Sequence, residues 1–195
     1  TFVEDTAVMF GDGVILTRPG AASRSGEVER IEATLRALFQ SVHAIVAPGT
    51  VDGGDVCQAG NHFFIGIPER TNEDGAYQLA NIVERGGSTT TLVDVRGVPG
   101  ILHLKSGISY LGANRLALID TMADRDEFAH YEIVRVPPHE RYAANCLRIN
   151  ANLLVAAGHP RLELALRGFG YPVIALDMSE FRKMDGALTC LSLRF

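Results

Sequence analysis

The sequence has no tryptophan, three cysteines among 195 residues, and fewer basic than acidic side chains. Each shortage removes a class of protein. Cys57, Cys146 and Cys190 lie far apart and form no CxxC pair, so neither a disulfide framework nor a zinc ribbon fits, and a reducing, cytoplasmic compartment is expected. With 18 Lys and Arg against 23 Asp and Glu, the formal charge is -5. That leaves no basic stripe to displace counterions from a nucleic acid, and no polybasic segment for an anionic membrane. No apolar run approaches the roughly 18 residues that span a bilayer, and the first 30 residues lack the basic start and apolar stretch of a signal peptide. The chain opens at Thr1, without a starting Met and directly on what reads as a strand, so a further segment upstream is expected.

What is present is an ordinary apolar share of 47%, enough for one core, and residues 1–195 read as a single domain. FVEDTAVMF and GVILT, joined by GDG, form an alternating hairpin over 2–17. The stretch 26–42 places Val28, Ile31, Leu35, Leu38 and Phe39 at helical spacing after Ser25 as N-cap, and a strand follows at 43–49. The same order recurs. A second copy has a hairpin over 51–67 turning at Gly60–Asn61, a helix over 73–87 and a strand over 88–95. The third has a hairpin over 101–119, a short acidic helix over 123–130 and a strand over 131–136. The fourth runs from a hairpin over 143–157 to a strand over 171–176, and Cys190 sits on the first strand of a fifth. Such a repeat is the mark of an array whose units complete their cores against neighbours.

Near the start of each hairpin stands one polar residue: Asp5, Asp52, His103, Asn145 and Cys190, spaced 47, 51, 42 and 45 residues apart. In a closed ring these side chains would converge on one centre. Singly, each has an ordinary structural explanation, as a turn residue, a satisfied core histidine or a small buried thiol. Together, carboxylates, an imidazole and a thiol are the ingredients of nucleophilic catalysis.

FVEDTAV (2–8), RPGAASR (18–24), VDGGDV (51–56), FFIGIPERTN (63–72), LHLKS (102–106), AANCLRIN (143–150) and MSEFRKMDGALTC (178–190) resemble, in order, motifs of the dimethylarginine dimethylaminohydrolases. These are members of the pentein superfamily of guanidine-modifying enzymes. The resemblance implies an α/β fold, a five-bladed propeller, with part of the first blade missing here. It also implies hydrolysis of asymmetric dimethylarginine or monomethylarginine to citrulline and the methylamine, through a covalent S-alkylthiouronium on cysteine. By the same resemblance Cys190 is the nucleophile, His103 the general acid and base, and Asp52 the acidic residue beside that histidine. Glu4 and Asp5 lie at the guanidinium, Arg24 and Arg70 hold the substrate carboxylate, and Met184 and Asp185 form the wall before the cysteine. Residue chemistry agrees with these assignments. A guanidinium pairs bidentately with carboxylates, and its poorly electrophilic carbon calls for a thiolate.

The expected partner is a small-molecule substrate, with no cofactor and no metal. Nucleic acid and membrane are excluded, and a homodimer is an open expectation. Three rivals remain at this point: an arginine deiminase or amidinotransferase acting on another guanidine, a non-catalytic guanidinium-binding module, and capture of zinc by Cys190, His103 and a carboxylate.

Overall fold

The computed structural model describes residues 2–195. They fall into two compact units, Thr1–Leu104 with Leu191–Phe195, and Lys105–Cys190. Among the described residues there are four sheets of three strands, two in each unit, and every sheet has the same internal order. An antiparallel hairpin comes first, and a third strand then returns in parallel beside the second. A parallel partner needs a crossover, which is where the helices sit.

In the first unit, β1 (Ala7–Phe10) and β2 (Gly13–Leu16) turn at Gly11–Asp12, with Gly11 in the left-handed region at φ 48°. Helix α1 (Glu27–Leu38) leads to β3 (Ser41–Ala44). Val14 and Leu16 pack with Leu35, Val28 and Ile31, whereas Ile15 on the opposite face joins Phe63, Ile65 and Leu79. Burial on both faces explains why β2 reads as a continuous apolar run. The second sheet is β4 (Val56–Ala59), β5 (His62–Ile67) and β6 (Thr89–Asp94), with α2 (Glu73–Arg85) as its crossover. The Asn72 side chain caps α2 by accepting from the Gly75 N–H. Ala76, Leu79, Ala80 and Val83 form its core stripe.

In the second unit, β7 (Ile108–Gly112) and β8 (Arg115–Ile119) turn through Ala113 and Asn114, both left-handed, and β9 (Glu132–Val136) pairs with β8. The fourth sheet comprises β10 (Leu147–Ile149), β11 (Asn152–Ala156) and β12 (Val173–Leu176), with α3 (Pro160–Gly168) between the last two. Both oxygens of the buried Glu140 carboxylate cap α3, accepting from Arg161 N–H at 3.0 Å and Leu162 N–H at 2.8 Å. A short α4 (Ser179–Arg182) precedes the cysteine.

Four expectations are corrected. Helix α1 begins after Gly26, not Ser25, and Phe39 is already extended, so the following strand starts at Ser41 and not at residue 43. Phe39 keeps its place in the core, which is why helical spacing seemed to include it. The acidic helix over 123–130 is replaced by a 3-10 turn, Asp126–Phe128, with another, Asp120–Met122, just ahead of the stretch. That stretch buries only Ala123 and Phe128, too narrow a stripe to support a helical nucleus. His103 precedes a 3-10 turn at Leu104–Ser106 and does not lie on a strand. Finally, Cys190 lies in a 3-10 turn, Thr189–Leu191, and not on the first strand of a fifth unit.

Candidate active site

Four of the five periodic residues, all but Cys190, share a position relative to their sheets. Asp5 lies in a 3-10 turn, Glu4–Thr6, that runs into β1. Asp52 precedes the 3-10 turn Gly53–Asp55 and β4, His103 precedes a 3-10 turn and β7, and Asn145 follows the 3-10 segment Pro138–Ala144 ahead of β10. Each therefore stands at the mouth of its sheet, where the chain is free to aim a polar group without breaking a ladder.

In the first unit Asp5, Asp52 and His103 come together. Asp5 is 5% exposed, Asp52 0% and His103 9%. The His103 Nε2 lies 3.9 Å from Asp5 Oδ2 and 3.9 Å from Asp52 Oδ2. Asp5 Oδ1 accepts from the Gly54 N–H at 2.7 Å, and Asp52 Oδ1 from the Gly20 N–H at 2.9 Å. Glycine at 54 is dictated by close approach: a Cβ there would stand 2.8 Å from Asp5 Oδ1 and 3.0 Å from the His103 ring. Gly20 is equally confined, by the Arg70 carbonyl. Asp52 Oδ2 is buried and accepts no hydrogen bond from the described residues. Its lone pairs are aimed into the cluster.

The hydrogen bond that orients the imidazole goes to a different carboxylate, one the motif reading passed over. Asp55 Oδ2 lies 3.3 Å from His103 Nδ1 and accepts from the Thr71 hydroxyl at 2.6 Å, while Oδ1 accepts from the Leu104 N–H at 2.9 Å. Both oxygens already accept, which leaves Nδ1 as the donor and turns the Nε2 lone pair toward Asp5 and Asp52. Thr71, wholly buried, also accepts from the Asp52 N–H at 3.0 Å, so one hydroxyl ties the two aspartates into a frame. No sequence signal separates the two: DGGD offers Asp52 and Asp55 as equivalent carboxylates, and the extended Asp52 ahead of the Gly53–Asp55 turn is what sends them to different nitrogens.

Electrostatics follow from the crowding. Burial pushes the Asp52 carboxyl up to about 6, with the neighbouring Asp5 charge in the same direction and the Gly20 N–H and His103 opposing. For Asp5, burial raises the pKa, but His103, Arg24 and the Gly54 N–H outweigh it and the net shift is downward. Burial disfavours the His103 cation, yet the Asp55 bond and the charges of Asp55, Asp5 and Asp52 leave its pKa raised. One donor atom from each of Asp5, Asp52 and His103 lies within 4.8 Å of the other two, a set that could hold a metal ion as well as an organic cation.

The remaining expected residues are placed as follows. Arg24 pairs with Asp5 Oδ2 and, through Nε and Nη2, with Glu27, at 2.6 Å for the shortest contact to Glu27; it also donates to the Phe2 carbonyl. Its guanidinium is thus already held by a carboxylate expected to bind a guanidinium. Arg70 is half-buried and makes no ion pair with the described residues. Glu4 is buried, its charge favouring the cation of Arg194, which burial works against. In the second unit, Met184 is 58% exposed and Asp185 is left-handed at φ 57°. Cys190 is half-buried, and its Sγ accepts from the Ala187 N–H at 3.4 Å. A hydrogen bond to sulfur favours the thiolate.

Comparison with known proteins agrees with this chemistry. The arginine deiminase family model matches residues 1–134. N(G),N(G)-dimethylarginine dimethylaminohydrolase of Pseudomonas aeruginosa is 43% identical over 195 residues, spanning all of this chain and 76% of that protein. The enzyme of the same name from Streptomyces coelicolor is 35% identical, spanning 99% of this chain and 73% of that protein. A solved structure of a Pseudomonas aeruginosa variant complexed with citrulline superposes with a TM-score of 0.95 at 42% identity, covering 100% of this chain and 75% of that one. An amidinotransferase from Microseira wollei, at 16% identity and a TM-score of 0.83 over 97% of this chain and 68% of that one, shares the fold alone. The repeated three-stranded sheets are thus the propeller-like α/β architecture of the penteins. The chain belongs to the arginine deiminase family, among its dimethylarginine dimethylaminohydrolases.

Proposed function

We propose that this protein hydrolyses Nω-methylated arginine, asymmetric dimethylarginine or monomethylarginine, to citrulline and dimethylamine or methylamine, with residues 1–195 acting as one catalytic domain. The observation that carries the reading is the buried set of Asp5, Asp52 and His103, in which Asp52 Oδ2 accepts no hydrogen bond from the described residues. Two carboxylates aimed at one point out of water are costly unless a cation joins them. A planar guanidinium meets that need with N–H groups matched to the carboxylate oxygens.

The residue roles follow. Asp5 and Asp52 bind the guanidinium, with Glu4 as a further acidic residue of that wall. The Cys190 thiolate attacks the guanidino carbon, and collapse of the adduct expels the alkylamine as it takes a proton from His103 Nε2. The S-alkylthiouronium that remains is attacked by water, whose proton returns to Nε2. Breaking the C–S bond then regenerates the thiolate, and loss of water's second proton to solvent leaves citrulline, whose ureido oxygen comes from water. Asp55 keeps Nδ1 protonated in both steps, so Nε2 alone shuttles the proton. Arg70 holds the substrate carboxylate, as a guanidinium fork suits one. Arg24 does the same by exchanging part of its pairing with Asp5 and Glu27. Met184 and Asp185 line the approach to the cysteine.

The odd count and wide spacing of Cys57, Cys146 and Cys190, with no CxxC pair, support a reducing, cytoplasmic setting. No helix among the described residues is long and apolar enough to cross a membrane. Assembly as a homodimer is part of the proposal and is decided by sedimentation.

The test is to incubate the protein with asymmetric dimethylarginine, arginine and agmatine and to assay the ureido product. Citrulline from the methylated substrate is expected. Turnover of another guanidine without turnover of dimethylarginine would overturn the substrate assignment, and a substrate-derived adduct on a cysteine other than Cys190 would overturn the mechanism.

A further inference from the structure

One residue of the periodic set has no role in the chemistry above. Asn145 is 4% exposed and stands two residues ahead of β10. Its carboxamide is fully engaged within its own unit. Oδ1 accepts from the Thr189 N–H at 3.0 Å, and Nδ2 donates to Thr189 Oγ1 at 2.9 Å and to the Lys105 carbonyl at 3.0 Å. Reversing the amide would set donors against the Thr189 N–H and remove both donations, so its orientation is determined by its partners.

Thr189 immediately precedes Cys190 and begins the 3-10 turn that carries it. That turn is small. Cys190 N–H donates to the Ala187 carbonyl at 3.2 Å, and the Ala187 N–H donates to Cys190 Sγ at 3.4 Å. A second tie fastens its other end, where the Tyr142 hydroxyl donates to the Gly186 carbonyl at 2.8 Å and the Tyr142 ring carries the Arg182 guanidinium at 4.7 Å. Residues 142–145 therefore grip the cysteine loop at Gly186 and at Thr189. Only the Thr189 grip joins a residue bonded to the nucleophile. Its donors and acceptor belong to a neutral amide, which holds the turn without placing a charge beside the thiol.

We propose that Asn145 is a positioning residue for Cys190: its amide holds the Thr189–Cys190 turn so that the thiol keeps its hydrogen bond from the Ala187 N–H and its aim at the substrate carbon. The proposal rests on Cys190 being the nucleophile. Loss of aim at a reacting atom costs rate more than binding, and a displacement of about 1 Å is worth roughly 10²-fold.

The experiment combines steady-state kinetics with the pH dependence of Cys190 alkylation by iodoacetamide, read as peptide modification and normalised to titrated thiol. Asn145→Ala is expected to lower kcat about 10²-fold with KM changed by less than about threefold. Asn145→Asp keeps the acceptor for the Thr189 N–H, but loses the donations and adds a charge, so it should move the alkylation midpoint of Cys190 to higher pH. Thr189→Val should lower kcat about tenfold, and Thr189→Ser should restore most of that loss by returning the hydroxyl. A purely structural residue would lower the melting temperature and the active fraction while leaving kcat per active thiol and the alkylation profile unmoved. That result for Asn145→Ala, or for Thr189→Val where Asn145→Ala does not fold, overturns the proposal. The alkylation profile is read without substrate, so a protein that fails to hydrolyse dimethylarginine refutes the proposed function separately from the clamp.

Discussion

The histidine cluster and the cysteine turn are held by opposite means. Around His103 the partners are charged: three aspartates surround one imidazole, with Arg24 attached to Asp5. Around Cys190 the hydrogen bonds that fasten the turn come from neutral groups, backbone N–H and C=O groups, a carboxamide and two hydroxyls. The difference teaches where each region needs its electrostatics. A cluster that receives a cation gains from fixed negative charge, and burial strengthens that attraction. A thiol that must ionise gains nothing from a nearby carboxylate, so its turn is secured by dipoles that leave the thiolate accessible.

If the histidine side depends on charge, neutralising its orienting carboxylate should produce the largest effect. Asp55→Asn retains shape but supplies only one acceptor oxygen, and its NH2 faces either Nδ1 or another donor. Turnover should fall about 10³-fold, by the tautomer argument that applies to aspartate–histidine pairs generally. The basic limb of kcat against pH should shift to lower pH, because a neighbour that raises the His103 pKa is gone and the proton donor to the leaving amine is lost sooner. An unchanged limb would mean the two regions do not differ in kind.

Thr71→Val tests the frame without changing a charge. It removes one hydroxyl that serves both Asp52 and Asp55, leaving a buried N–H and a carboxylate oxygen short of a partner. The expected cost is about 1–3 kcal/mol in urea unfolding, with turnover reduced about tenfold as Asp55 loses its fixed angle.

The smallest effect is one of stability against pH. Asp52 has its folded pKa raised to about 6, above its ordinary carboxyl value, so its contribution is fully present at low pH and is lost as pH rises through about 6. His103, also raised, contributes in the same sense. Asp5, lowered, works the other way, and its stabilisation is lost as pH falls below the ordinary carboxyl range. Asp52→Asn should therefore raise the melting temperature at pH 7.5 by a few degrees, roughly what 1 kcal/mol moves a domain of this size, and change it little at pH 5. Equal shifts at both pH values would show that burial of charge at residue 52 is not what sets the slope.

Much of this was legible in the chain before folding, and the errors are informative. The hairpin turns at Gly11–Asp12 and Gly60–Asn61 announce themselves through turn chemistry, and the helix expected over 73–87 is α2. The acidic stretch 123–130 misled because charge and helix propensity say nothing about the core face it lacks. The segments around His103 and Cys190 resemble strands because a 3-10 turn carries the same local mixture of apolar and polar residues. Asp55 was passed over because two aspartates in DGGD look interchangeable in one dimension. Only the 3-10 geometry and the Thr71 hydroxyl assign one to the Nδ1 side and the other to the Nε2 side.

The sequence by itself determined the repeat, the polar residue ahead of each of its four hairpins, and the thiol, imidazole and carboxylates of the proposed reactive set, because those depend on residue type and on spacing along the chain. The partner of each group was decided by tertiary structure alone: Asp55 on the imidazole, Arg24 on Asp5, Asn145 on the turn before the cysteine. These pairs lie 48, 19 and 44 residues apart. Hydrogen bonds and ion pairs act over about 3 Å, a distance that local pattern cannot supply and that only the packed sheets bring about.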